Sequence, residues 1–185
     1  MSSFVNIPAT RLRVRVWDVV VRLFHWSLVG MVTAAYIFDS PRGLHRSLGY
    51  VVIAPITFRV VWGFVGTRHA RFSDFVTSPR RLFRYLVDLL RGREARFQGH
   101  NPAGGVMILA LLTTLAAIGM TGYMMGRDAY FGVEWVEDAH EAFVTCLLVP
   151  LHVVGVVGSS LRHRENLVLS MITGQKVEDG HDTHS

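Results

Sequence analysis

The chain has 185 residues, of which half are apolar and 18% charged, and its mean hydropathy is positive. That balance suits one domain built as a small bundle of membrane helices and excludes an ordinary soluble globular protein. The net charge of +5 comes from 18 arginines and one lysine spread between apolar runs, a pattern of membrane topology that sets nucleic-acid binding aside.

The N-terminal stretch, residues 1–18, reads as a retained basic leader, because no short apolar core is followed by a small-residue cleavage site. Four runs of about 20 residues then span: Val19–Phe38, Leu48–Gly66, Gly104–Met125 and Glu141–Leu161. The first is interrupted by Arg22 and His25, the second by Arg59, and the third carries no charge. Residues 19–161 therefore form one transmembrane domain, with a long 67–103 connection and a polar 162–185 tail. Within the connection, PRRLFRYLVDLLRG (Pro79–Gly92) places Leu, Phe and Tyr at helical spacing among arginines, the pattern of a helix lying on the membrane surface.

Fourteen basic residues lie in the leader, the 67–103 connection and the tail, against Arg42, Arg46 and Arg127 on the other side. The positive-inside rule therefore places both termini in the cytoplasm. Trp17, Trp26, Trp62 and Trp135 fall near interfaces, as belt residues do. The lone cysteine, Cys146, lies in an apolar run, and neither CxxC nor CxxCH occurs. No disulfide within the chain, thiolate cluster or covalent haem attachment is expected.

The expensive residues are the histidines, since ionisable groups at membrane depth require a partner or a ligand. His140 and His152 are separated by about 18 Å of helix rise. Depth pairs His45 with His140 toward the outer face, and His25 with His152 nearer the inner face. Two bis-imidazole pairs on facing helices are what two b-type haems in a bundle require. Zinc, which wants four ligands around one point, fits separated pairs poorly. His69, His100 and His163 lie outside the runs and are set aside, with His163 the reserve for His152. His181 and His184 fall in the polar tail. Arg59 and Arg22 suit the carboxylates of the inner haem, and Arg42 and Arg46 those of the outer one.

The segments VWDVVVRLFHWSL, LHRSLGYVVIAPITFRVVWGFVG, GHNPAGGVMILALL, EDAHEAFVTCLLVPLHVVGVV and RHRENLVLSMITG, in this order, resemble the bacterial cytochrome b561 family. That family includes the cytochrome b subunits of nickel–iron hydrogenases, and the resemblance covers about residues 12–176. It implies an all-α integral membrane four-helix bundle with two haems b, passing electrons between the quinone pool and a redox partner. It also implies His25, His45, His140 and His152 as axial ligands. A spacing of about fourteen residues between the last two histidines, usual in the family, leaves them ~40° apart on an ideal helix; the twelve here leave about 120°. Either Pro150 kinks the helix and re-aims the ring, or the inner haem is displaced, ligated through His163 or absent. No fifth run follows Leu161, which sets the chain apart from the longer hydrogenase-type subunits.

The expected function is thus an electron carrier of the bacterial cytoplasmic membrane, rather than a stand-alone oxidoreductase. It links ubiquinone or menaquinone to a periplasmic partner such as a c-type cytochrome, which the acidic 126–139 loop would steer. Rival readings are a superoxide:quinone oxidoreductase using Arg42, Arg46 and Arg127, a hydrogenase-like cytochrome b subunit, and a haem-free membrane anchor.

Overall fold

A computed structural model describes residues 12–93, 95, 97, 99–144 and 148–178. Arg11, Arg96, Cys146, His181 and His184 lie outside the described residues. In chain order the elements are β1 (Leu12–Arg15), α1 (Val19–Ile37), α2 (Arg42–Val65), α3 (Phe72–Phe75), α4 (Pro79–Leu90), α5 (Pro102–Met125), α6 (Glu134–Val144), α7 (Leu148–His163), α8 (Leu167–Thr173) and β2 (Gln175–Glu178). Among the described residues four segments are long and apolar enough to cross a membrane: α1, α2, α5 and the stretch Glu134–His163 that holds α6 and α7.

Two helices begin earlier than hydropathy predicts. α2 opens at Arg42 rather than Leu48, because Pro41 supplies an extended N-cap from which the helix starts at once. α6 opens at Glu134 rather than Glu141, with Glu134 and Glu137 in its first turn, where carboxylates complement the exposed backbone N–H groups. His45 and His140 therefore stand inside their helices rather than at the openings.

α5 packs against α2, α4, α6 and α7, while α1 packs on α2. The core lies where Val52 and Ile56 of α2 meet Leu112 of α5, with Phe24, Leu28, Met31 and Val32 of α1 closing over them. Outside that seam large apolar side chains such as Leu23, Phe64, Val154 and Leu161 remain exposed. That distribution fits helices solvated by lipid.

The end of the bundle that holds the start of α1 is tied by polar contacts. Asp18 caps α1 by accepting from the Val21 N–H at 2.7 Å. It also accepts from the Thr67 hydroxyl and from Trp62 Nε1, 3.4 Å away, which fastens the end of α2 to the start of α1. Burial alone raises the Asp18 pKa, but the hydrogen bonds from Thr67, Val21, Trp62 and Val20 outweigh it and hold the carboxyl below its ordinary value.

The tail does not run free of the leader. β1 pairs antiparallel with β2, with Leu12 opposite Glu178 and Arg15 opposite Gln175. Asn166 caps α8 by accepting from Leu169 N, and Gly174 ends that helix at φ +81°. The Gly174 carbonyl accepts from both Val16 N and Trp17 N. Arg22 Nη1 and Trp26 Nε1 donate to the α8 carbonyls of Ile172 and Met171. Trp17 is accordingly no belt residue: it is only 7% exposed, tilted against the His100 ring and covered by Lys176.

A substitution at Gly174 tests this closure. An added Cβ would sit 2.7 Å from the Trp17 carbonyl oxygen, in a left-handed conformation that L side chains rarely adopt. Gly174→Ala is expected to destabilise the protein by about 2 kcal/mol or more, read as a lowered melting temperature in detergent. Gly43→Ala, whose Cβ meets nothing within 4 Å, should leave that temperature close to wild type.

Candidate functional site

The four histidines predicted from depth come together in two pairs. The His45 ring of α2 faces that of His140 of α6 with centroids 6.3 Å apart, and His25 of α1 faces His152 of α7 at 6.5 Å. A metal–imidazole bond of about 2 Å, with about 1.1 Å more from nitrogen to ring centre, sets two trans axial imidazoles about 6.3 Å apart. Both pairs have that separation, and among the described residues no group of three or more His, Cys, Asp or Glu converges as a metal cluster.

The outer pair also has its ring nitrogens assigned. His45 Nδ1 lies 3.0 Å from the Ala35 carbonyl, which only accepts, so the proton is on Nδ1. His140 Nδ1 lies 2.9 Å from Thr121 Oγ1, and that hydroxyl itself donates to the Ala117 or Ile118 carbonyl. Thr121 therefore accepts from His140. In both rings Nε2 keeps its lone pair, the arrangement in which an outer partner orients a ligand and raises its basicity. Gly122 permits the approach, since a Cβ there would lie 3.2 Å from His140 Cε1.

The first two spans also carry two arginines with buried side-chain nitrogens. Arg59 is 3% exposed and follows Val52 and Ile56 on the buried face of α2, so its charge turns inward. It lies over the Phe72 ring, and its Nη1 has no hydrogen-bond partner; Arg22 Nε is likewise buried and unpaired. A buried guanidinium nitrogen without an acceptor is unfavourable unless an anion meets it, and haem carboxylates are anions of the right kind. Gly49 and Gly155 follow His45 and His152 by one turn, and no heavy atom lies within 4 Å of a Cβ added at either. A flat macrocycle edge needs such positions against a helix. The residues present thus fit a bis-histidine haem at each pair. Arg42 and Arg46 are exposed at the start of α2, within one turn of His45.

Beside the inner pair, α3 is wedged between helices at two glycines. A Cβ on Gly63 would fall 2.2 Å from the Phe72 ring, and one on Gly105 would fall 2.6 Å from the Phe75 carbonyl oxygen. Phe75 and Trp17 enclose His100, a residue that sequence reasoning set aside. Burial first, then the charges of Arg59 and Lys176 and the rings of His69 and His152, push its pKa down to about 3. His69 has a different role, bonding Asp74 at 3.1 Å, and His163 closes α7. Thr121 was also missed; its signal was a hydroxyl inside the one span without charges.

Comparison with known proteins gives the family of the chain. The sequence pattern described as prokaryotic cytochrome b561 matches residues 16–174. Relatives include proteins named "Probable Ni/Fe-hydrogenase B-type cytochrome subunit" from Rhizobium leguminosarum bv. viciae, 25% identical over 90% of each chain, and from Azotobacter vinelandii, 25% identical over 89% of this chain and 88% of the relative. The Rhodobacter capsulatus protein of the same name is 21% identical over 90% of this chain and 82% of its own length. No solved structure matches.

Two substitutions separate the roles. Thr121→Val removes the acceptor for His140 Nδ1–H and should weaken retention of haem b about tenfold, read as haem lost per chain on gel filtration. For His100, a folded pKa below the unfolded value means that stability is full above about pH 6.5 and declines as pH falls toward 3, on the order of 1 kcal/mol per pH unit. His100→Phe should flatten the fall in melting temperature between pH 6.5 and 4.5 relative to wild type.

Proposed function

Because the chain belongs to the prokaryotic cytochrome b561 family of b-type membrane cytochromes, we propose that it carries electrons across the membrane through two haems b, between the quinone pool and a redox protein on the outer side. The observation behind this reading is the pair of histidine couples from α1, α2, α6 and α7, with ring centroids 6.5 and 6.3 Å apart, which would hold a haem iron between them. Haem b, when bound, supplies a one-electron iron couple whose potential follows axial ligands, burial and nearby charge.

The remaining chemistry belongs to the chain. His45 and His140 offer Nε2 at the outer site, and His25 and His152 serve the inner one. Arg59 and Arg22 pair the inner carboxylates, with Arg42 and Arg46 taking the outer ones. Ubiquinone or menaquinone reaches the bundle from the bilayer, so no water-facing substrate pocket is required. Asp128, Glu134, Glu137 and Asp138 are exposed at the end of the bundle nearer His140, a negative surface that steers a basic partner such as a c-type cytochrome. The basic residues gathered at the opposite end support an inner-membrane orientation with both termini in the cytoplasm.

A second reading of the partner has its own support. Relatives bear the name of hydrogenase B-type cytochrome subunits, so a membrane-attached hydrogenase-like complex is the alternative donor. Both readings share the haem arrangement and differ in what delivers electrons to it.

The test counts haem per chain by pyridine haemochrome in wild type and in four single His→Ala variants. Two haems are expected in wild type, with one left in each variant, and added quinol should reduce them. A wild type with one haem or none, or a His152→Ala variant that keeps two, would overturn the arrangement. Haems that stay oxidised with quinol but are reduced by a hydrogenase partner would transfer the reading to the second donor.

A further inference from the structure

Helix α4 presents three different sectors around its axis. At 100° per residue, Tyr85, Leu82 and Leu89 share one side, and there Tyr85 is buried where α4 packs on α5. The next sector holds Phe83, Leu86 and Leu90, of which Phe83 is 70% and Leu90 88% exposed. Beyond it Arg80, Arg84 and Arg91 fall within about 40° of one another. A shallow groove follows the border between the apolar and cationic sectors, lined by Arg80, Phe83, Arg84, Val87, Asp88 and Arg91. None of the three arginine side chains makes a hydrogen bond or ion pair among the described residues, so three free guanidiniums face one carboxylate.

The position of α4 identifies what covers it. The helix lies between the end of α2 and the start of α5, two segments that cross the membrane. Its C-terminal end reaches the last turn of α7, where a Cβ on Gly92 would lie 3.8 Å from Arg162 Nη2. α4 is therefore held at the level where the spans leave the hydrocarbon. An apolar strip with a row of unpaired guanidiniums along its edge, at that level, matches acyl chains beside phosphate.

We propose that α4 is a binding site for acidic phospholipid: Arg80, Arg84 and Arg91 take the headgroup phosphate, and Phe83, Leu86 and Leu90 lie among the acyl chains. The inference does not depend on the haem reading. It gives the 67–103 connection a lipid-dependent anchor in addition to its packing on α5.

The experiment places a nitroxide at residue 90 (Leu90→Cys with Cys146→Ser) in the full-length protein, reconstituted in bilayers of phosphatidylcholine with or without phosphatidylglycerol. Power saturation is measured with oxygen and with a water-soluble nickel chelate. With phosphatidylglycerol, the nitroxide should become accessible to oxygen and protected from nickel, and the combined Arg80→Gln, Arg84→Gln and Arg91→Gln variant should lose that response. Native mass spectrometry of the unsubstituted protein should show at least tenfold preferential retention of phosphatidylglycerol over phosphatidylcholine, and loss of the preference in the triple variant. Equal immersion in both lipids would overturn the proposal, since apolar insertion alone would explain it. Continued nickel access in both would also overturn it, and would point to a protein partner on α4.

Discussion

Hydrocarbon offers no hydrogen bonds, so every polar side chain carried into the spans has to be answered from within the protein. Most are answered locally. The Thr57 hydroxyl returns to the Ile53 carbonyl, Thr121 to Ala117, and the His45 ring reaches Ala35 across the α1–α2 turn. Among the described residues three buried side-chain atoms have no partner, and two of them are guanidinium nitrogens, on Arg22 and Arg59. Arg22 precedes His25 by three residues, and Arg59 lies on the buried face of α2. Two buried guanidinium nitrogens are thus left without a hydrogen-bond partner, while the Asp18 carboxylate offsets part of the Arg59 charge.

The two histidine pairs differ in what stands behind them. At the outer pair a backbone carbonyl and a threonine hydroxyl fix both tautomers. The inner pair has Trp26 edge-on to the His25 ring and His100 close enough to be affected by His152. Hydrogen bonds that make imidazole more electron-rich favour the oxidised iron, while nearby cations favour the reduced one. The two pairs differ in their surroundings: ring nitrogens held by hydrogen bonds at His45 and His140, and rings met by neighbouring aromatic side chains at His25 and His152.

The spans were legible because hydropathy over about 20 residues is a strong signal, and α1 begins at the residue it indicated. The histidine pairs were legible because a helix converts sequence separation into depth. Helix starts were less so: α2 and α6 extend beyond their apolar runs, driven by Pro41 and by acidic first turns that hydropathy does not register. The twelve-residue separation of His140 and His152 raised a geometric objection, yet the ring of His152 lies opposite that of His25. Contacts between distant parts of the chain were not legible at all. Nothing in LRVR or QKVE announces that these strands pair, and the burial of Trp17 depends on that closure. His100 looked like a loop residue because its enclosure comes from Phe75 of α3 and from Trp17 between β1 and α1, which sequence order keeps far apart.

The strand pair has a topological consequence. β1 precedes the first span and β2 follows the last, and strands joined by backbone hydrogen bonds occupy the same side of a bilayer. The number of crossings between them must then be even, whichever way the bundle is inserted. Four satisfies this parity; a span that failed to insert, or an extra one gained between the strands, would leave β1 and β2 on opposite sides with their ladder unmade. Since β2 follows all four of these segments in chain order, the first helix has to wait in the membrane with its N-terminal end unlatched until they have crossed. Closure of the ladder therefore reports, late in assembly, that the crossings have been counted correctly.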